Sequence, residues 1–330
     1  MTAIRSKNKL PAVVADIGGT HARFARLTPK GDPGPVVKLS TNAFTGVGAA
    51  LEEFLKITGG PKPVRLCLAV AAPVMGDDVA LTNASWQFSI KDLKRQLGLA
   101  ELAVTNDYEA LAWALPQLSA TDKRCLGPQR GDGRDGAPMA VLGAGTGLGM
   151  AGLIPAGTGW RPVTSEYGYT SLAPHTDKEM AAFRILRDTH GRVSAERVLS
   201  GPGLVDLHFA LAALEDRQPG EDTPEAIIAA AKMSRHSPAL ETIHMFGNLL
   251  GGLAGDVALL FLARGGVYLA GGILSHIVDI LPGRGFRERF ELKGRGYPVV
   301  AEVPTFLITH EFPTLLGCAY YMNRERQDRL

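Results

Sequence analysis

Cysteine is scarce: Cys67, Cys125 and Cys318 are the only three in 330 residues. No two stand at metal-ligand spacing, which argues against a disulfide framework or a zinc site. Cys67 lies inside the apolar run 64–70 and reads as a buried, reduced thiol. An excess of one charge is missing too. Lys and Arg total 35 against 33 Asp and Glu, a net +2, which argues against a protein held to nucleic acid by a basic surface. No uninterrupted apolar run reaches about 18 residues. The longest helical stretch, 241–263, is interrupted by Gly247, Gly251, Gly252 and Gly255 and carries Asp256. The first eleven residues are polar and basic, without the apolar segment of a signal peptide. These absences set the expectation of a cytoplasmic protein with neither a nucleic-acid nor a membrane partner. No glycine is followed by lysine, so there is no Walker A loop, and no G-x-G-x-x-G follows a strand. The nucleophile elbow G-x-S-x-G and the zinc motif H-E-x-x-H are absent, and the eight histidines form no close ligand pair.

What is present is apolar residue and glycine. Hydrophobic residues make up 45% of the chain and charged residues 21%, enough to bury a core, and the length suits roughly two domains. Glycine, at 39 residues, implies many tight turns and some close backbone–ligand approaches. Strands are expected at 12–16, 21–27 and 36–40, then a helix at 46–57, because Leu51, Phe54 and Leu55 share a face. The run 64–72, apolar apart from Arg65, reads as a strand covered on both faces. Ser89 caps a helix that Gly98 ends. A short strand, 102–105, leads through Asn106-Asp107 into a helix, 108–115. The exposed loop 127–138 is a candidate lobe boundary. Beyond it come strands at 139–142 and 150–154 around the glycine turn 143–149. Helices are expected at 177–189, 194–199, 202–214, 224–233 and 241–263. A strand at 267–270 runs into Gly271-Gly272 and a helix at 273–281, and a last strand, 299–308, precedes a last helix, 312–324. Alternating strands and helices define an α/β protein. Superposing Thr20 on Thr146, 126 residues apart, also places Gly19 on Gly145 and Ala25 on Ala151. The match is short, but it suggests two lobes of duplicated topology, each offering one hairpin.

Several residues in this frame have chemistry to offer. In Asp16-Ile17-Gly18-Gly19-Thr20, glycines let backbone N–H groups approach a phosphate, Thr20 can donate to it, and Asp16 can hold Mg²⁺ directly or through water. An ordinary hairpin with a turn aspartate is the alternative. Gly143 to Gly149 is a second turn of this type, with Gly145-Thr146-Gly147 at its centre; a bulged hairpin is its alternative. Gly271-Gly272, between a strand and a helix, suits either a ligand or plain strand–helix packing. Asp107, at a strand's C-terminal end, can accept a substrate proton, yet Asn106 and Asp107 also suit a helix N-cap. Glu166 and Glu196 sit in glycine-rich and cap-like settings, where solvation or the helix dipole would equally account for them.

Taken in order, the segments resemble the bacterial ATP-dependent glucokinases of the actin-like sugar kinase superfamily. The matching stretches are 14–23 (VADIGGTHAR), 81–90 (LTNASWQFSI), 104–115 (VTNDYEALAWAL), 141–149 (VLGAGTGLG), 194–204 (SAERVLSGPGL), 267–273 (VYLAGGI) and 313–317. They span nearly the whole chain, and 194–204 is the most diagnostic. The resemblance implies a two-lobed actin-like, ribonuclease H-like hexokinase fold with a cleft between the lobes: residues 1–117 plus 310–330 as a small lobe and 118–309 as a large one. It implies phosphorylation of glucose to glucose 6-phosphate by MgATP, with sugar binding closing the lobes. Asp107 is then the catalytic base, and Asn106, Asp107, Glu166, Tyr169 and Glu196 bind the sugar. Ala15, Asp16, Ile17, Gly18, Gly19 and Thr20 form the first ATP loop. Gly145, Thr146 and Gly147 form the second, Gly271 and Gly272 lie at the adenosine, and Asp16 serves Mg²⁺. Where the family reads E-G-G-H, this chain has Glu166-Tyr167-Gly168-Tyr169, so Tyr169 replaces a sugar-binding His. Mannose, fructose or an amino sugar is therefore an alternative substrate, and a non-catalytic sensor or an actin-type ATPase is an alternative on the same fold. The cysteine cluster of the related repressor–kinase group is absent, and the eleven leading residues leave no room for a DNA-binding domain. A homodimer is the expected assembly.

Overall fold

A computed structural model describes residues 10–82, 84–128, 133–281 and 283–324. Asn83 in the matching stretch 81–90, residues 129–132 of the loop 127–138, and both ends of the expected small lobe lie outside these. The chain divides into two compact units: 1–118 with 156–162 and 310–330, and 119–155 with 163–309. The loop 127–138 falls inside the second.

The first unit is built on a five-stranded sheet of β1 (Ala12–Ile17), β2 (His21–Leu27), β3 (Pro33–Ser40), β4 (Arg65–Val70) and β7 (Glu101–Asn106), ordered β3-β2-β1-β4-β7. β1 runs antiparallel to β2 and parallel to β4, and β4 is parallel to β7. The side-chain period of two divides each central strand between two cores. Val13, Ala15 and Ile17 with Leu66, Leu68 and Val70 face the helix Val47–Thr58, where Phe24 stacks on Phe54 at 5.4 Å. Ala12, Val14, Cys67 and Ala69 face the last helix, Pro313–Asn323, through Leu315, Cys318 and Ala319. Small residues dominate this second face because the helices come close. A Cβ on Gly317 would stand 1.7 Å from the Ala110 carbonyl oxygen. A two-stranded ribbon, β5 (Asp78–Ala80) with β6 (Gln87–Ser89), precedes the helix Ile90–Leu97, which Ser89 caps at the Asp92 N–H.

A second, six-stranded sheet is made of β8 (Lys123–Cys125), β9 (Met139–Ala144), β10 (Leu148–Ala156), β11 (Gly159–Ser165), β12 (Gly266–Ala270) and β13 (Thr305–Ile308), ordered β11-β10-β9-β12-β13-β8. Its first five strands repeat the order of the first sheet, and the β9–β10 hairpin stands where β1–β2 does. The repeat is offset by one residue before the turn. Ile17 pairs with Ala22 across a four-residue connection, Ala144 with Leu148 across a three-residue one. Gly143 is thus not the counterpart of Ile17, although the sequence match of Thr20 with Thr146 aligns the two.

Two expectations change. Residues 299–308 are not one strand: Tyr297–Val300 is helical, and only Thr305–Ile308 pairs. Nor do the glycines interrupt the long helix, which runs unbroken from Pro238 to Phe261. Gly251 and Gly255 form a groove in which an added Cβ would stand 2.2 Å from the Phe286 and Phe290 carbonyl oxygens, so the helix Gly283–Glu291 lies against it. This long helix is apolar enough to cross a membrane by composition, and 67% of its most apolar window is buried in the protein.

Candidate active site

Asp16 stands next to last on β1. Its carboxylate accepts from Arg23 Nη1 at 3.0 Å, directly across the β1–β2 ladder. Burial raises the Asp16 pKa, and Arg23 opposes that rise. The turn that follows is pinned by the Gly18 N–H to the His21 carbonyl (2.9 Å) and by Thr41 Oγ1 to the Gly18 carbonyl (3.0 Å). A Cβ on Gly18 would meet only His21 O, at an ordinary 3.5 Å. Packing therefore does not require glycine at Gly18, and the space is left for an approaching group. Ala15 and Ile17 are fully buried, and Ala15 pairs with Phe24 on one side and Leu68 on the other. Their side chains are committed to the core.

Asn106 and Asp107 end β7 and open the helix Asp107–Ala114. Both readings of this pair have structural content. Asn106 is the N-cap: Oδ1 accepts from the Tyr108 N–H (2.9 Å) and the Glu109 N–H (3.4 Å), and Nδ2 donates to the Ala72 carbonyl (3.2 Å). The Asn106 side chain also hydrogen-bonds the Asp107 carboxyl, a minor influence that lowers its pKa. Asp107 accepts from the Tyr108 N–H at 3.0 Å. Burial, with the Asp16 carboxylate adding to it, pushes the Asp107 pKa up to about 7. A carboxyl tuned near neutral pH is suited to taking a proton from a hydroxyl.

In the second unit the turn Gly145-Thr146-Gly147 closes through the Gly145 N–H to the Gly147 carbonyl (2.9 Å), and the Gly145 carbonyl accepts from the Gly201 N–H (2.8 Å). Nothing lies within 4 Å of a Cβ placed on Gly145 or Gly272. Gly271 differs: its φ of +105° and a contact of 2.2 Å to the Ala144 carbonyl require glycine. Glu196, in the short helix Ala195–Val198, accepts from the Leu148 N–H at 2.9 Å, and a Cβ on Gly147 would stand 2.5 Å from the same oxygen. The phosphate-type turn and a predicted sugar ligand are thus one hydrogen-bonded assembly. Glu166 precedes the 3₁₀ turn Tyr167–Tyr169, closed by the Tyr169 N–H to the Glu166 carbonyl (3.1 Å). The charge of Glu196 first, then burial, then the charge of Glu166 raise the pKa of the Tyr169 phenol. Tyr169 is 55% exposed, whereas Tyr167 turns into the core.

Gly145, Thr146 and Gly272 open on a cavity of about 710 Å³ within this unit. Its far wall is the helix Pro224–Met233, with Glu225 and Lys232, and His276 stands beside Gly272. Sequence reasoning missed these residues, because a lone helix face carries no motif. Among the described residues no cluster of three His, Cys, Asp or Glu could hold a metal. A single carboxylate, Asp16, itself paired with Arg23, suits only a Mg²⁺ that arrives on substrate phosphates and keeps its waters.

Two sheets of one strand order, each opening on a Gly-Thr hairpin, are the architecture of the actin-like sugar kinases. A solved glucokinase from an Antarctic psychrotroph superposes with a TM-score of 0.86 at 34% identity, over 96% of this chain and 99% of that one. A glucokinase of the ROK family from Streptomyces griseus, solved with glucose and AMPPNP, has the same fold, with a TM-score of 0.62 at 18% identity over 94% and 98%. The sequence specifies the family. The glucokinase family model matches residues 13–325. The Aromatoleum aromaticum protein named glucokinase is 40% identical over 94% of this chain and 93% of its own. The chain belongs to the glucokinase family.

Proposed function

We propose that the protein transfers the γ-phosphoryl group of ATP to the 6-hydroxyl of glucose. The observation that carries this reading is Asp107, a carboxyl at a strand end whose pKa stands near that of a working base at neutral pH. Asp107 accepts the 6-hydroxyl proton as the oxygen attacks the γ-phosphorus. The bond from that phosphorus to the bridging oxygen breaks, and ADP leaves. Such transfer depends on positioning and charge neutralisation rather than covalent catalysis. Asp16 would hold the Mg²⁺ carried on the substrate phosphates, which would neutralise their charge, and the turns at Gly18-Gly19-Thr20 and Gly145-Thr146-Gly147 present N–H and hydroxyl donors to the phosphates. The adenosine occupies the cavity beside Gly271-Gly272, and Asn106, Glu166, Tyr169 and Glu196 hold the sugar hydroxyls.

Tyr169 supports a second reading. A neutral, half-exposed phenol beside two acids presents a hydroxyl at a longer reach than an imidazole, which suits a different epimer. The proposal includes a cytoplasmic homodimer, as expected from the resemblance. Coupled ADP release with MgATP and a panel of glucose, mannose, fructose and glucosamine tests the function. Turnover strongest with glucose is the expected result. Preference for another hexose transfers the assignment to that sugar, and absence of sugar-dependent turnover refutes the kinase reading. Sedimentation of the purified protein tests the dimer.

A further inference from the structure

A second concavity in the second unit, away from the nucleotide cavity, is built from cations. The helix Asp177–His190 presents Met180, Phe183, Arg184 and Arg187 along one side, at the three- and four-residue spacing of neighbours on a helix. It ends at Gly191, whose φ of +76° turns the chain back. That turn brings Arg192 and Ser171 to the same depression, a cavity of about 380 Å³. Three guanidinium groups therefore line one open site, and among the described residues no carboxylate lines it. Arg187 Nη2 lies 3.7 Å from Asp188 Oδ1, its one ion pair among the described residues, and Arg192 Nη2 donates to Ser171 Oγ at 3.4 Å. Among the described residues no ion pair engages Arg184. The floor is apolar: Phe183 is buried, and Met180 is left 51% exposed.

Guanidinium forks match phosphate oxygens in pairs, and an exposed apolar floor suits a carbon skeleton. We propose that this concavity binds a phosphomonoester of a small organic molecule, held by Arg184, Arg187 and Arg192 and distinct from the residues given to ATP and hexose. Its location gives it a lever. Ser171 bridges to Ser194, the Leu172 N–H donates to the Val193 carbonyl (3.4 Å), and the Ala195 N–H donates to the Thr170 carbonyl (2.8 Å). A ligand joining Ser171 to Arg192 clamps the two segments that carry Tyr169 and Glu196, and so changes hexose affinity. This coupling rests on the proposed function; the binding does not.

Calorimetry on the full chain tests both, without ATP or Mg²⁺ and with and without saturating glucose. The probes are glycerol 3-phosphate, glucose 6-phosphate and inorganic phosphate. Both esters are expected to bind one per chain with glucose present, and inorganic phosphate about tenfold more weakly. The exposed-site variant R184A/R187A/R192A, checked for an unchanged unfolding temperature, is expected to lose at least about tenfold in ester affinity. The parent's affinity is expected to fall several-fold as salt rises from about 50 to about 300 mM. Ester binding unaffected by the triple substitution, or absent at millimolar concentration, overturns the site. Inorganic phosphate binding as tightly as the esters overturns the organic-ester assignment. A shift of at least about threefold in the glucose Kd under saturating glycerol 3-phosphate, lost in the variant, is the expected coupling; ester binding without it overturns the coupling. Failure of glucose to bind at all counts against the proposed function and leaves the anion site standing on its own titration.

Discussion

Replacing Asp107 with asparagine should make the protein more stable and nearly inactive at once. The carboxyl pKa stands at about 7 against an ordinary 3.8, and a difference of that size corresponds to about 4 kcal/mol. Asp107 keeps some solvent contact, so screening brings the effect to about 1–3 kcal/mol. The folded pKa lies above the unfolded one, so the folded state binds the proton more tightly. The group favours folding most below pH about 4, and its contribution is lost as pH rises through about 7. An asparagine side chain carries no charge at any of these pH values, and its Oδ1 can still accept the Tyr108 N–H at 3.0 Å. The variant's advantage should therefore grow from pH 5.5 to pH 8 and then level off, reaching a few degrees in Tm at about 2 °C per kcal/mol. Without a proton acceptor, turnover should fall about 10²–10⁴-fold. The parent's kcat/KM should drop tenfold per pH unit below about 7 and be level above it. Thermal unfolding of both proteins across pH 5.5–8, with steady-state kinetics, makes the comparison. A stability advantage of Asp107→Asn that does not change with pH, or a pH-independent parent rate, would refute the raised pKa; near-normal turnover would refute the base.

Three further outcomes follow from contacts within one unit. Gly147→Ala puts a Cβ 2.5 Å from Glu196 Oε2, so the end of that side chain must shift from the place where it accepts the Leu148 N–H at 2.9 Å; the glucose KM should rise up to about tenfold, at 1.4 kcal/mol per decade, with kcat less affected, and an unchanged KM argues against Glu196 as a sugar ligand. Arg23→Gln removes the cation 3.0 Å from Asp16, whose pKa burial already raises, so the carboxylate becomes harder to ionise; the KM for MgATP should rise several-fold and recover in part at higher pH, whereas an unchanged KM separates Asp16 from the metal. Gly317→Ala cannot be accommodated with 1.7 Å to the Ala110 carbonyl; urea unfolding should show a loss of at least about 3 kcal/mol, and a loss under about 1 kcal/mol would mean that the last helix moves away at little cost.

Local chemistry made much of this protein legible in one dimension. The apolar run 64–72, Ser89 as a cap and the Gly-Thr turns depend on neighbours in sequence, and the strands, helix ends and hairpins formed close to where those signals stood. The duplicated hairpin could be read because both copies kept a Gly-Thr turn. What the chain alone left open required partners distant in sequence. Gly251 and Gly255 resemble interruptions until the helix Gly283–Glu291 lies against them. Residues 299–308 are apolar enough for a strand, yet only the last four meet a neighbouring strand. Spacing could not choose between a cap and a base at Asn106-Asp107, because burial and the approach of Asp16 set the carboxyl's pKa. Nor could it join Gly147 to Glu196, or Arg184 and Arg187 to Arg192 across the turn at Gly191. Propensity, periodicity and turn chemistry act over a few residues; desolvation, charge proximity and close backbone approach are set by the tertiary structure.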